Sequence, residues 1–382
     1  MSSVNITIRN KLRRLALKRI NFGSLKNTVK SLAEKFFKDK ILFVTKDRAS
    51  NRRFVSIGSI KPLVQYKYLY LGRTARASYS LKLSFNTRKL VPYLLNKAGL
   101  VVITDSALAN TLREQVVMHP TFIDLEISLP NTFESYYKTL TGARADVRKI
   151  RKMGYTFTIS KDSAWVDKFF DYYYVPSMLG RHADEAYIMP KYEIMALIKQ
   201  PGTEFINVFV DGQCVASAIC KVDGVKYNYL RVGWLNGDNS LLAAGATAAI
   251  YWFLIQRAYE LGCKSISLGG TPPYLENGVL KYKAKWQARF CRDIFYIENY
   301  LLLDPSNPVC YQFLQNTSLV VFSLKNSLIV LSSKLQTGSN MPGIILNDVD
   351  GWFLLRSQRS ESYTAGMEEL PEHLRYWYQK VR

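Results

Sequence analysis

The sequence predicts an α/β (α+β) fold, mixed sheets flanked by helices, and three observations carry that prediction. Runs rich in β-branched and aromatic residues at 204–210, 213–222 and 226–235 are joined by Asp211-Gly212 and Asp223-Gly224, a strong local signal for antiparallel hairpins. An alanine-rich, largely apolar stretch at 241–261 follows a loop of capping residues and closes at Gly262, as a long buried helix should. A short apolar strand at 265–268 then meets Gly269, Gly270, Pro272 and Pro273, which are expected to end it. A meander, a covering helix and a returning strand place an α/β domain over residues 155–300.

The other elements follow in chain order. Short strands are expected at 41–44, 53–60 and 67–71, where β-formers are separated by polar breaks. A helix at 88–97 despite Pro92, a buried strand at 100–104, a helix at 107–115 and a strand at 121–127 make the next stretch alternate. Residues 131–152 read as a helix capped by Asn131 or Thr132, with Glu134 in its first turn and an interruption at Gly142. After Gly154 come a strand at 155–159, a helix at 164–174 ended near Pro176, a polar stretch holding Arg181 and His182, and a helix at 190–198. No repeat of solenoid period is present.

Composition narrows the classes. An apolar content of 48% in 382 residues supports real cores and excludes a disordered chain. The formal net charge of +22 favours anionic partners: nucleotide phosphates, RNA, acidic polysaccharide precursors or anionic lipid. Five cysteines without a CxxC pair read as buried small hydrophobes in a reducing, cytoplasmic setting. Three histidines without ligand spacing argue against a metal. The best apolar run, 319–331, is broken by Lys325 and Asn326, so no transmembrane segment is expected. The first 40 residues form a basic arm with a helical apolar face, suited to a solvated cationic helix or to peripheral contact with an anionic membrane at the inner surface.

Several residues carry candidate chemistry. Arg144, Arg148 and Arg151 recur at spacings of four and three, which lines their guanidinium groups along one helix face, widened by Lys149 and Lys152. Such a stripe clamps phosphates through charge-assisted bonds or simply solvates the helix. The run from Lys281 to Trp286 joins point charges suited to phosphate with aromatic faces that stack or bury, and Lys283, Lys285 and Trp286 are its strongest candidates. Arg181 and His182 sit where functional polar residues concentrate, and an imidazole titrating near neutrality suits a base that takes a proton from an attacking amine.

The segments YYKTLTGARADVRKIRK (136–152), FFDYYYVPSMLGRHADEA (169–186), GDNSLLAAGATAAIYWFLIQRAYELG (237–262) and SLGGTPPYLENGVLKYKAKW (267–286) resemble the GNAT superfamily, in particular Fem-like and polysaccharide-cluster N-acyltransferases. The resemblance covers residues 120–300. It implies tandem GNAT-like mixed sheets with a degenerate N-terminal copy: a basic arm at 1–40, a degenerate domain at 41–130, the acyltransferase domain at 131–304 and an extension at 305–382. It also implies a pyrophosphate site at the helix start near Gly245, although Leu242 stands where the family places a basic or amide residue. Lys283 or Lys285, in the Lys-x-x-Trp arrangement with Trp286, would neutralise phosphate beside the donor or acceptor channel.

The implied activity is N-acyl transfer from acyl-CoA to the amine of a nucleotide- or lipid-linked sugar in polysaccharide or cell-envelope biosynthesis. Two alternatives stay open: a Fem-type transferase with aminoacyl-tRNA as donor, and a basic protein without catalysis that binds RNA or a membrane.

Overall fold

A computed structural model describes residues 40–46, 53–58, 77–83, 87–182, 188–333, 348–363 and 365–381. The expected basic arm, Lys40 apart, and the expected strand at 67–71 lie outside the described residues. The first part comprises β1 (Lys40–Lys46), β2 (Arg53–Gly58), β3 (Ala77–Leu83), α1 (Thr87–Ala98), β4 (Leu100–Ile103), α2 (Ser106–Thr111) and β5 (Val117–Ser128). It continues with α3 (Phe133–Thr139), α4 (Arg144–Lys152), β6 (Thr156–Ser160), α5 (Trp165–Lys168), a π-helical turn (Phe169–Tyr174), α6 (Val175–His182) and α7 (Lys191–Ile198).

The meander is β7 (Thr203–Val210), β8 (Gln213–Asp223) and β9 (Lys226–Trp234), followed by α8 (Asn239–Ala244), α9 (Ala246–Glu260), β10 (Ser265–Thr271), α10 (Gly278–Lys285) and β11 (Arg289–Leu303). Last come α11 (Pro308–Asn316), β12 (Leu319–Phe322), β13 (Leu328–Ser332), β14 (Gly351–Leu355), α12 (Glu372–Arg375) and β15 (Tyr378–Lys380).

Among the described residues one 15-stranded mixed sheet runs in the order β3-β1-β2-β4-β11-β5-β10-β9-β8-β7-β6, with β12 to β15 branching from β5. Most pairs are antiparallel, while β2 with β4, β9 with β10 and β13 with β14 are parallel. Strand β5 pairs with β10 on one edge and β11 on the other, so hydrogen bonds cross the expected domain boundary at residue 130.

The main core lies where α9 covers the sheet. Ile250, Leu254, Ile255 and Ala258 of α9 are fully buried with Ile123, Leu125 and Ile127 of β5 and Ile206 and Val208 of β7. Val147 and Ile150 bring α4 onto the same core. Fully burying aliphatic side chains contributes roughly 1.5–3 kcal/mol each, so this layer dominates the energetics. On the opposite face, Val166, Phe169, Tyr173 and Ile194 seal α5, the π-helical turn and α7 against Phe205, Cys214 and Ile219.

Three expectations are corrected. The helix after residue 164 does not stop near Pro176 but runs on to His182. The π-helical turn explains this, because Val175 N–H donates to the Phe170 carbonyl, a wider turn that the ring of Pro176 enters next. The helix expected at 241–261 is two helices, split at Gly245, whose φ of 103° breaks the helical path. The strand expected to end before the double glycine continues through both glycines to Thr271. In the stretch after 305, Phe313, Leu319, Val321, Phe353, Met367 and Tyr378 are buried together with Leu100 and Val102 of β4 and Leu301 and Leu303 of β11.

Candidate active site

Strands β9 and β10 run side by side only where Ser265, Ile266 and Ser267 face Lys226, Tyr227 and Asn228. Past that point they diverge. Strand β10 turns at Gly269, whose φ is 67°, and its register against β5 shifts between Ser267 and Gly270. Divergence withdraws the ordinary ladder partners of a strand edge, and buried carbonyls need replacement donors. Lys283 supplies them: its Nζ donates to the carbonyl oxygens of Gly269 at 2.7 Å and Gly270 at 3.0 Å.

Lys283 reaches this place because α10 is capped by Asn277, whose Oδ1 accepts from the amides of Val279 and Leu280. Its side chain is only 4% exposed. Burial pushes its pKa down to about 7, with the charge of Asp124 pulling the other way. An ammonium has three donors. Two are committed to carbonyls, and among the described residues no acceptor is recorded for the third.

One wall of the fork is aromatic. Tyr229 of β9 meets Tyr251 of α9 edge-on at 5.5 Å, and Tyr251 meets Tyr282 of α10 at 5.3 Å. Trp286 packs on Tyr251 at 5.7 Å and is fully buried, while the hydroxyl of Tyr136 donates to its carbonyl. Lys285 sits 5.9 Å over the ring of Tyr282 and forms an ion pair with Asp146 of α4 at 2.6 Å.

The start of α9 lies beside Lys149 of α4. Lys149 Nζ donates to the Ala243 carbonyl and Tyr155 hydroxyl to that of Ala244, so the end of α8 is satisfied from α4 and the segment after it. Gly245 then turns the chain, and a side chain there would come within 3.7 Å of Lys149 Cδ. The first amides of α9 carry the positive end of its dipole. Thr247 Oγ1 is buried there without a hydrogen-bond partner among the described residues. An anion seated on the amides and this hydroxyl, beside Lys149, would match the donor set.

Asp146 of α4 pairs with Lys285, Tyr251 and Tyr282 join α9 to α10 and Trp286, Lys149 of α4 lies beside Gly245, and Lys283 reaches β10 from α10. The arginine stripe is distributed differently. Arg144 donates to the carbonyls of Leu140 and Lys138 and so closes the end of α3. Arg148 is exposed, and Arg151 lies over the rings of Tyr137 and Trp252 at 5.2 and 5.7 Å. The backbone of Arg181 and His182 closes α6, and their side chains lie outside the described residues.

Asp124 is the site residue that sequence reading missed. It faces Gly270 across the β5–β10 ladder, at the fork. Its carboxyl titrates above the ordinary carboxylate value because burial disfavours the charge, while Lys283 and Lys226 offset part of the rise. The alternation Phe122, Ile123, Asp124, Leu125, Glu126 and Ile127 shows a two-faced strand, yet not that its neighbour is β10. Among the described residues no group of three or more His, Cys, Asp or Glu is arranged to hold a metal ion, and no helix is long and apolar enough to cross a membrane.

No family model matches the chain, and no curated protein matches it. Solved structures similar to it include FemX, at 12% identity over 69% of this chain and 83% of that one, with a TM-score of 0.36. L-PGS from Bacillus licheniformis is similar at 13% identity over 74% of this chain and 89% of its own, with a TM-score of 0.34. A GCN5-related N-acetyltransferase from Kribbella flavida is similar at 8% identity over 78% and 69%, with a TM-score of 0.27.

Proposed function

We propose that the chain is an N-acyltransferase whose chemistry occurs at the fork of β9 and β10. The observation that carries this reading is the buried ammonium of Lys283, held by the Gly269 and Gly270 carbonyls with one donor left over, where two parallel strands part. A gap between strands accepts an extended arm, and acyl transfer needs little beyond juxtaposition, a donor to the developing oxyanion and removal of a proton.

The donor in this reading is a thioester on a phosphate-bearing carrier, acyl-CoA being the expected one. Its phosphates would lie at the start of α9, on the amides after Gly245 and near Lys149, with Lys285 as a further cation at the mouth. Its acyl arm would follow the aromatic wall of Tyr229, Tyr251 and Tyr282 into the fork. The carbonyl would be polarised by a strand amide of β9 and by the third N–H of Lys283. Trp286 serves as the packed floor under Tyr251.

The acceptor is an amine, with the amino group of a nucleotide- or lipid-linked sugar as the expected class. The net charge of +22 suits anionic substrates of that kind. The test is calorimetric titration of acetyl- and palmitoyl-coenzyme A, followed by thiol release with a panel of amines. Binding that Lys283→Met weakens, with turnover lost, is expected. Absence of both binding and turnover in the wild-type chain would sink the reading.

A further inference from the structure

Among the described residues three strands end the sheet: β3, β15 and β6. A free edge presents a row of N–H and C=O groups, and proteins guard such edges with charge, proline, a bulge or a very short strand. Strand β3 carries Lys82, and β15 is three residues long and ends in Lys380. Strand β6 has no such guard. Its five residues, Thr156, Phe157, Thr158, Ile159 and Ser160, include neither a charge nor a proline, and its pairing with β7 runs without a register shift.

The two faces of β6 are set by its neighbours. Phe157 stacks on Phe253 of α9 at 4.7 Å, which turns Phe157 and Ile159 to the α9 side of the sheet. Thr156, Thr158 and Ser160 therefore point to the other side, where Thr156 and Thr158 are exposed. The strand complements itself. When a second β6 is laid antiparallel beside the first about Thr158, Thr158 meets Thr158, Phe157 meets Ile159 and Thr156 meets Ser160. Each is a favoured cross-strand pair, hydroxyl with hydroxyl or aromatic with β-branched. A slip of one residue would oppose Phe157 to Thr158 and lose every one of these pairs.

The charges beyond the strand fit the same register. Extended past Ser160, it brings Lys161 of each copy opposite Tyr155 rather than another cation, and Asp162 opposite Gly154, close in sequence to the exposed Arg151 and Lys152 at the end of α4. Opposite charges thus approach each other twice, once on each side of the axis.

We infer that β6 is the contact between two copies of this chain, related by a two-fold axis at Thr158, so that the sheet of one copy runs on into the sheet of the other. Such a contact uses the same patch on both copies and leaves no free edge at β6.

The experiment uses the full chain. Sedimentation velocity at about 5 and about 100 µM brackets the micromolar affinity expected of a small, strand-based interface. The wild type should pass from one copy to two across this range. Thr158→Lys sets two cations face to face on the axis and should sediment as one copy at both concentrations, as should Thr158→Glu. An equimolar mixture of the two variants should recover the dimer, because the cation then faces a carboxylate. Opposed residues of an antiparallel pair have Cα atoms about 4.5–5.5 Å apart, within disulfide reach. Thr158→Cys should therefore cross-link between copies under mild oxidation, and Thr156→Cys, which faces Ser160 in this register, should not. A wild type that stays a single copy at the higher concentration overturns the inference, whether or not another chain takes the edge. A dimer that survives Thr158→Lys overturns it too, as does equal cross-linking of Thr156→Cys and Thr158→Cys.

Discussion

Arg257 of α9 grips Glu204 of β7 through two parallel hydrogen bonds, Nε to Oε1 at 2.9 Å and Nη2 to Oε2 at 3.1 Å. The carboxylate is almost wholly buried and also accepts from the hydroxyl of Tyr227 on β9 at 2.8 Å. Helix and meander are thus locked behind the fork by a charge whose partners are all protein groups. Removing one member of a buried pair leaves the other uncompensated, at a cost of about 3–5 kcal/mol. Arg257→Met should therefore destabilise the fold by that order, and Glu204→Gln by less because the amide keeps one acceptor. Urea unfolding followed by circular dichroism checks both, and an Arg257→Met midpoint equal to the wild type would contradict the assignment.

Lys283 makes stability depend on pH in a definite direction. Its folded pKa is lowered to about 7 by burial, while an unfolded lysine titrates near about 10.4. Between those values the unfolded chain binds the extra proton, so stability rises as pH increases from about 7 towards 10. The slope from this group should approach about 1.4 kcal/mol per pH unit within that window. Lys283→Met removes it. The difference in unfolding free energy between wild type and variant, measured across the window, should change with that sign.

The pair of Lys285 and Asp146 is partly exposed and joins α10 to α4. Exposed pairs contribute about 0–1 kcal/mol, so Lys285→Ala should unfold at nearly the wild-type denaturant concentration. Its effect should appear in donor binding, with an affinity for coenzyme A thioesters lower by roughly ten-fold, as for one lost charge-assisted contact. Calorimetry at two salt concentrations would show whether the loss is electrostatic, since salt should narrow the gap between wild type and variant.

Gly245 holds a left-handed φ of 103° at the joint of α8 and α9. A β-carbon there costs about 1–2 kcal/mol in backbone strain. Gly245→Ala should lower the unfolding midpoint accordingly and weaken donor binding, because the first amides of α9 would be re-aimed. Retention of full donor affinity alongside the stability loss would separate the helix start from the phosphate site.

The meander, its hairpin turns and the covering helix were legible because their signals are local. Asp211-Gly212, for example, adopts the positive φ values, 50° and 76°, that a tight hairpin of this type demands. Lys283 and Lys285 were legible as a basic run beside a tryptophan, and Gly245 as a glycine inside an apolar stretch. What stayed hidden is non-local. The π-helical turn at Phe169–Tyr174 depends on packing against β9, where a side chain at Gly233 would strike the backbone of Tyr173. Arg144 looks like a clamp in one dimension, but the end of α3 lies closer to it than any cleft. Asp124 gained its meaning only when β10 came to lie beside it.

The last segment of the fold also holds the loop that leads into α10. The carboxylate of Glu276 accepts from the amide of Ser318 at 2.8 Å and its hydroxyl at 2.7 Å, while Leu275 N–H donates to the Ser318 carbonyl and Val320 N–H to that of Pro273. During synthesis, β5 is made long before the strands that flank it, and the loop at 272–277 precedes β12, its anchor. The fork therefore closes late, and a nascent chain arrested before β12 would carry Lys283 without the brace that holds the loop before α10.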